Sequence, residues 1–131
     1  MTIHSIHHAQ LPFRAGDEAQ IRRFYNQLIG LTEFRIGQQS AQGGQGVPLR
    51  FVAGHQRVDL VPTENWQPNP VPAHLAFEVQ DLPSLRRRLL SADVVLEESQ
   101  PLAGHLRFYV NDPAGNRLEF LEPDASQGSF V

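Results

Sequence analysis

Six histidines and 14 acidic residues, with no cysteine at all, limit any metal site in this 131-residue chain to nitrogen and oxygen donors. The same absence excludes disulfides and thiol nucleophiles. Four side chains stand out by position: His8, Asp59, His74 and Glu119 each take a polar place in a segment whose alternate places are apolar. An imidazole beside a carboxylate can hold a divalent ion or pass a proton to and from a substrate. Gln10, Arg57, Arg107, Tyr109 and Arg117 fall on the same alternation. They add an amide, a phenol and three guanidinium groups suited to oxygen-rich, anionic ligands.

Strands and helices must bring these groups together, and their signals come twice. Ile6 to Phe13 alternates as a strand, with Ala9, Leu11 and Phe13 on one face and His8 and Gln10 on the other. Gly16-Asp17 offers a turn and an N-cap. Ile21, Phe24, Tyr25, Leu28 and Ile29 then recur with helical spacing up to Gly30. Strands are expected near 32–37, 47–53 and 57–62, the first two separated by the Gln/Gly-rich run Gln38 to Gly46. This half, about 3–62, reads βαβββ.

The stretch 63–72 holds prolines at 68, 70 and 72, closely after Pro62, and reads as a stiff extended connector. The same order then returns over about 73–122: a strand from Ala73 to Val79, an Asp81-capped helix with Leu82, Leu85, Leu89 and Ala92 inward, and strands near 94–98, 105–111 and 116–122. A tail covers 123–131. Local echoes support the repeat, with Arg57-Val58-Asp59-Leu60 answering Arg117-Leu118-Glu119-Phe120 and Ile21-Arg22-Arg23 answering Leu85-Arg86-Arg87.

Following the apolar positions separates the two faces. Val58 and Leu60 go inward, leaving Arg57 and Asp59 beside His8 and Gln10. Leu75, Phe77, Phe108, Val110, Leu118 and Phe120 go inward in the second half, leaving His74, Arg107, Tyr109, Arg117 and Glu119 outside. Each half thus turns a histidine and a carboxylate to equivalent places.

Other features are plainer. A net charge of −3 gives no electrostatic footprint for nucleic acid, and Arg86-Arg87-Arg88 reads as a solvated helix surface. No apolar run approaches the roughly 20 residues that span a bilayer, and the start of the chain has no signal-peptide pattern. A cytoplasmic protein with a small-molecule partner is expected. His4, His7, His55 and His105 lie at a terminus, on the opposite strand face or in turns, where solvent exposure is the simpler reading.

These residues resemble the glyoxalase, or vicinal oxygen chelate, superfamily over almost the whole chain. His7-His8-Ala9-Gln10-Leu11 is similar to its first metal strand, and Arg23-Phe24-Tyr25-Asn26-Gln27-Leu28-Ile29-Gly30-Leu31 to its helix exit. Arg107 to Phe120 resembles its closing hairpin, in which Asp112-Pro113-Ala114-Gly115-Asn116 makes the turn and Glu119 stands at the metal position. The resemblance implies an α+β fold of two tandem βαβββ modules forming a cup-shaped, barrel-like mixed sheet with helices outside. It also implies one divalent ion (Fe, Mn, Ni or Zn) held by His8, His74 and Glu119. Asp59 stands where glyoxalase I enzymes carry another glutamate; one methylene shorter, it either joins the ion or falls short of it. A homodimer is implied as well, with His8 from one subunit meeting His74 and Glu119 of the other.

The chemistry expected on this resemblance is that of a metal acting as Lewis acid on a small oxygenated substrate while Glu119 or Asp59 moves a proton. Isomerase, lyase and Fe(II) dioxygenase reactions all fit. Tyr109 is expected either to donate to a substrate oxygen or to line the cup, and Gln10 to orient His8 or a water. Relatives that modify fosfomycin carry a tyrosine placed as Tyr109 is before Glu119, but also a later arginine where this chain has Gly128. The rival reading is a metal-free, drug-sequestering module of the bleomycin-resistance kind.

Overall fold

The computed structural model describes residues 2–35, 47–67, 73–100 and 103–124. The Gln/Gly-rich run, positions 68–72 of the connector and the tail from 125 onward lie outside the described residues. The chain divides into two compact units, Met1–Pro68 and Asn69–Val131.

The first unit runs β1 (His8–Arg14), α1 (Glu18–Arg22, continuing as a π-helix over Arg23–Leu28), β2 (Thr32–Phe34), β3 (Leu49–Ala53) and β4 (Gln56–Thr63). Its four strands form one sheet in the order β1-β4-β3-β2, parallel at β1/β4 and antiparallel elsewhere. The second unit repeats the plan with β5 (Leu75–Glu78), α2 (Leu82–Ser91), β6 (Glu97–Glu98), β7 (His105–Asn111) and β8 (Arg117–Pro123). Its sheet has the order β5-β8-β7-β6, with the one parallel pair again formed by the first and last strands. The fold is α+β, built from two modules of the same topology.

Each core is the set of alternating apolar residues expected from the pattern, closed by the helix. In the first unit Phe13, Ile21, Phe24, Tyr25, Leu49, Phe51, Val58 and Leu60 are buried, and Tyr25 stacks on Phe51 with centroids 5.4 Å apart. In the second, Leu82, Leu85 and Leu89 of α2 are buried together with Phe108, Val110, Leu118 and Phe120 of the sheet. Phe77 stacks on Phe120.

The two helices depart from the pattern in different ways. Asp17 precedes α1 but makes no side-chain cap; instead the Glu18 carboxylate accepts from the Gly16 N–H at 2.9 Å. After one α-turn the bonds lengthen, with Ile29 N–H reaching Phe24 O at 3.0 Å, five residues back. The wider turn keeps Phe24 and Tyr25 on the core but carries Leu28 and Ile29 off the apolar stripe, so both are only half-buried. At α2, Asp81 caps as expected, accepting from Ser84 N–H. Its φ of 64° is a left-handed conformation that aspartate tolerates better than most residues. The second strand of each module is short: β2 ends at Phe34 and β6 covers only Glu97–Glu98.

Two surface readings need correction. His105, read as an exposed turn residue, is 6% exposed and its Nδ1 lies 3.3 Å from Ala103 O, because it opens β7 rather than sitting in the turn before it. Arg86 is half-buried, ion-paired with Glu98 and placed over the Phe108 ring, so only Arg87 and Arg88 of the arginine run are exposed.

The turn from β7 to β8 is held by Asp112. Its Oδ1 accepts from Ala114 N–H at 2.9 Å and Asn116 N–H at 2.8 Å, and its Oδ2 from Asn116 Nδ2 at 2.9 Å. Gly115 takes a φ of 83° between them, which an L side chain would resist. This turn sets the β7/β8 register that places Tyr109 opposite Glu119.

Candidate functional site

Strand register arranges the polar face of each module as rungs. In the first module one rung runs Gln10, Asp59, Arg50, Phe34 across β1, β4, β3 and β2, and the next runs His8, Arg57, Val52, Thr32. In the second, the corresponding rung runs Ala76, Glu119, Tyr109, Glu97, and the next holds Arg117 and Asn111. His74 comes one residue before β5, level with Arg117 as His8 is with Arg57. Directly paired residues share a face, so each module presents histidine, arginine and carboxylate at equivalent places.

In the second module these groups form one connected cluster. His74 Nε2 lies 3.0 Å from Glu119 Oε1, and Arg107 Nη1 donates to Glu119 Oε2 at 3.3 Å and to Tyr109 Oη at 3.1 Å. Arg107 Nε is anchored to Gln100 O at 2.9 Å. The Tyr109 ring meets His74 edge to face at 5.3 Å and carries the Arg117 guanidinium 4.1 Å above its centroid. Arg117 also pairs with Glu97 at 3.0 Å. The side chain of Glu119 is 6% exposed while that of His74 is 31% exposed, so the carboxylate forms the floor and the imidazole the accessible wall.

The first module uses its carboxylate differently. Arg57 grips Asp59 with two bonds, Nε to Oδ1 at 2.7 Å and Nη2 to Oδ2 at 3.0 Å. Asp59 is buried, whereas His8 and Gln10 are exposed. His7, exposed as expected, is nevertheless joined to His8, with Nδ1 to Nδ1 at 2.9 Å. The alternation rule missed that contact because β1 begins only at His8, leaving His7 free of the strand's side-to-side constraint.

The donor types of the second module, an imidazole nitrogen and a carboxylate oxygen, are ones that a divalent ion takes. Two ligands each about 2.1 Å from an ion are about 3.0 Å apart at a right angle and about 3.4 Å apart in a tetrahedral site. The 3.0 Å separation of His74 Nε2 and Glu119 Oε1 is that of a direct hydrogen bond and also falls at the short end of this range. Arg107 on the other carboxylate oxygen supplies the outer support that ligating carboxylates usually have. Asp59 is arranged otherwise, both oxygens being taken up by Arg57. Among the described residues, no group of three or more His, Cys, Asp or Glu side chains clusters at metal-binding spacing. No helix among the described residues is long and apolar enough to cross a membrane.

The family model of the Glyoxalase/Bleomycin resistance protein/Dioxygenase superfamily matches residues 5–120. The chain belongs to this superfamily. Among solved structures, a Bacillus anthracis protein assigned to the glyoxalase family is 28% identical with a TM-score of 0.83, over 95% of this chain and 98% of that one. A lactoylglutathione lyase from Agrobacterium tumefaciens is 22% identical with a TM-score of 0.70, over 93% of this chain and 97% of that one. A genomically encoded fosfomycin resistance protein from Listeria monocytogenes is 14% identical with a TM-score of 0.74, over 96% and 98%. The latter two share the fold. No curated protein matches the chain.

Proposed function

We propose that this superfamily member is a divalent-metal-dependent enzyme of the vicinal oxygen chelate type, acting on a small oxygenated substrate by lyase or isomerase chemistry, or by oxygenation where the ion is Fe(II). The observation that carries this reading is the 3.0 Å approach of His74 Nε2 to Glu119 Oε1 beside a hydroxyl held by Arg107. His8, at the equivalent place in the first module, is the third ligand of the proposal. Asp59 is assigned to hold Arg57 rather than to bind metal or act as a base. The ion, one of Fe, Mn, Ni or Zn, supplies Lewis acidity and a template for neighbouring substrate oxygens when bound.

The chain's own groups do the rest. Arg107 holds and aims Glu119, so that its carboxylate can take a proton from the substrate. Tyr109 Oη accepts from Arg107, which leaves its own hydrogen to be given to a substrate oxygen. Arg117 covers the Tyr109 ring and fixes its plane. A homodimer is part of the proposal, and the lyase relative from Agrobacterium agrees with the first of the reaction classes.

Metal analysis of protein purified without added metal or chelator tests the reading. We expect about one divalent ion per chain in the wild type and its loss in His74→Ala, Glu119→Ala and His8→Ala. Stoichiometry unmoved by His74→Ala and Glu119→Ala would overturn the ligand assignment. One observation favours the metal-free rival: Glu119 already has a partner on each oxygen, His74 and Arg107. Metal-free protein whose His74 and Glu119 variants lose affinity for an organic ligand would decide for that rival.

A further inference from the structure

Three arginines of the polar faces, Arg57, Arg107 and Arg117, differ in what their donors are doing. Arg107 commits Nε to Gln100 O and Nη1 to both Tyr109 and Glu119. Arg117 lies on the Tyr109 ring and pairs with Glu97. Arg57 is held differently: Asp59 grips it side-on through two nitrogens, taking one edge of its fork. A guanidinium has five N–H donors, and the side-on pairing through Nε and Nη2 uses two of them. The outer edge, with both Nη1 hydrogens and the second on Nη2, meets no acceptor among the described residues.

That edge is held in place. The buried Asp59 carboxylate fixes the plane of the group, and the Phe34 ring lies 5.8 Å from the Arg57 Cζ on the same face. The Arg57 side chain remains 24% exposed, so the fork is reachable. Its rung is also shared with His8, which Arg57 faces in register.

We propose that the outer edge of Arg57, positioned by Asp59 and Phe34, is an oxyanion-binding site, and that the substrate therefore carries a carboxylate or a phosphoryl-type group. As a statement about substrate class this rests on the enzymatic reading above; as a statement about an anion site it stands on the first module alone. An end-on guanidinium fork offers two parallel N–H donors matched to two oxygens of a planar or tetrahedral anion, which a lysine at the same place would not. Asp59 is then the positioning residue that replaces a would-be ligand.

The test uses full-length protein stripped of metal with chelator, titrated separately with inorganic phosphate and with acetate, so that metal ligation does not enter. Saturable binding of either anion to the wild type is expected, with affinity reduced about tenfold or more in the Arg57→Gln/Asp59→Asn double variant. The double variant keeps a neutral hydrogen-bonding pair and leaves no buried charge alone. Arg57→Lys, which keeps the charge against Asp59 but loses the fork, is the second variant and is expected to weaken binding as well. Arg87→Gln, on the exposed side of α2, should bind as the wild type does. Binding of phosphate alone points to a phosphoryl-type substrate, and binding of acetate to a carboxylate. No saturable binding of either anion to the wild type, or unchanged binding in both Arg57 variants, overturns the proposal. Parallel metal analysis separates the two readings: metal retained without anion binding sinks only this inference, and anion binding without metal sinks only the metalloenzyme.

Discussion

Asp59 and Glu119 occupy the same rung of their modules and meet different partners. The residue two places earlier is arginine in both, yet Arg57 turns onto Asp59 while Arg117 leaves Glu119 and lies over Tyr109. The third strand explains part of this: Arg50 stands opposite Asp59, whereas Tyr109, an aromatic platform for a guanidinium, stands opposite Glu119. Glu119 is thereby left to His74 and Arg107. The alternation of apolar residues was enough to put these side chains on one face from the sequence. Which arginine would hold which carboxylate was not legible, because that depends on the cross-strand neighbour. Tyr109→Phe tests the role of the hydroxyl alone, since it retains the ring that Arg117 covers. We expect unchanged metal content and a turnover, on a substrate found by screening small oxygenated anions, lowered by about a hundredfold or more. Undiminished turnover would reduce Tyr109 to a wall of the site.

At the scale of elements, helix ends were the least legible feature and strand faces the most. Asp17 and Asp81 look alike as N-cap candidates, yet only Asp81 caps. The reason lies far away in the chain: the Glu122 carboxylate on β8 accepts from Asp81 N–H at 2.6 Å and Leu82 N–H at 3.0 Å, holding the start of α2 against the sheet. No local pattern announces such a cap. The π-turn in α1 was equally hidden, because Ile21, Phe24 and Tyr25 satisfy both the narrow and the wide helix. By contrast, β4, β7 and β8 lie within a residue of their expected bounds, since each carries apolar residues two places apart, Val58/Leu60, Phe108/Val110 and Leu118/Phe120, and follows a turn. Glu122→Ala is expected to cost about 1–2 kcal/mol by removing two charge-assisted bonds at a helix N-terminus. Asp17→Ala should stay within about 0.5 kcal/mol. Urea denaturation of the two variants, read as a shift in midpoint at constant slope, checks the contrast. Equal losses would mean that Asp17 caps α1 in solution after all.

At the scale of the molecule, the sequence repeat predicts the structural one: the two echoing tetrapeptides lie on β4 and β8, the second strand of each sheet. Among the described residues β1 and β5 stand at the edges of their own sheets, and a sheet edge is a surface that proteins ordinarily cover. A homodimer, with a mass twice the 14.7 kDa of one chain, is expected in sedimentation, and the further question is whether the proposed ion draws ligands from one chain or two. Mixing variants separates these cases. His8→Ala retains His74 and Glu119, and Glu119→Ala retains His8, so neither alone should hold the ion. If each site is shared across a two-fold interface, a heterodimer of the two rebuilds one intact site and one doubly broken one. Random subunit exchange makes about half of the dimers mixed, so metal content should recover to about a quarter of the wild-type value. If every site is built within one chain, the mixture stays as empty as its components. Recovery that exceeds the quarter would show that one of the two side chains is dispensable, and the ligand assignment would then fall at that residue.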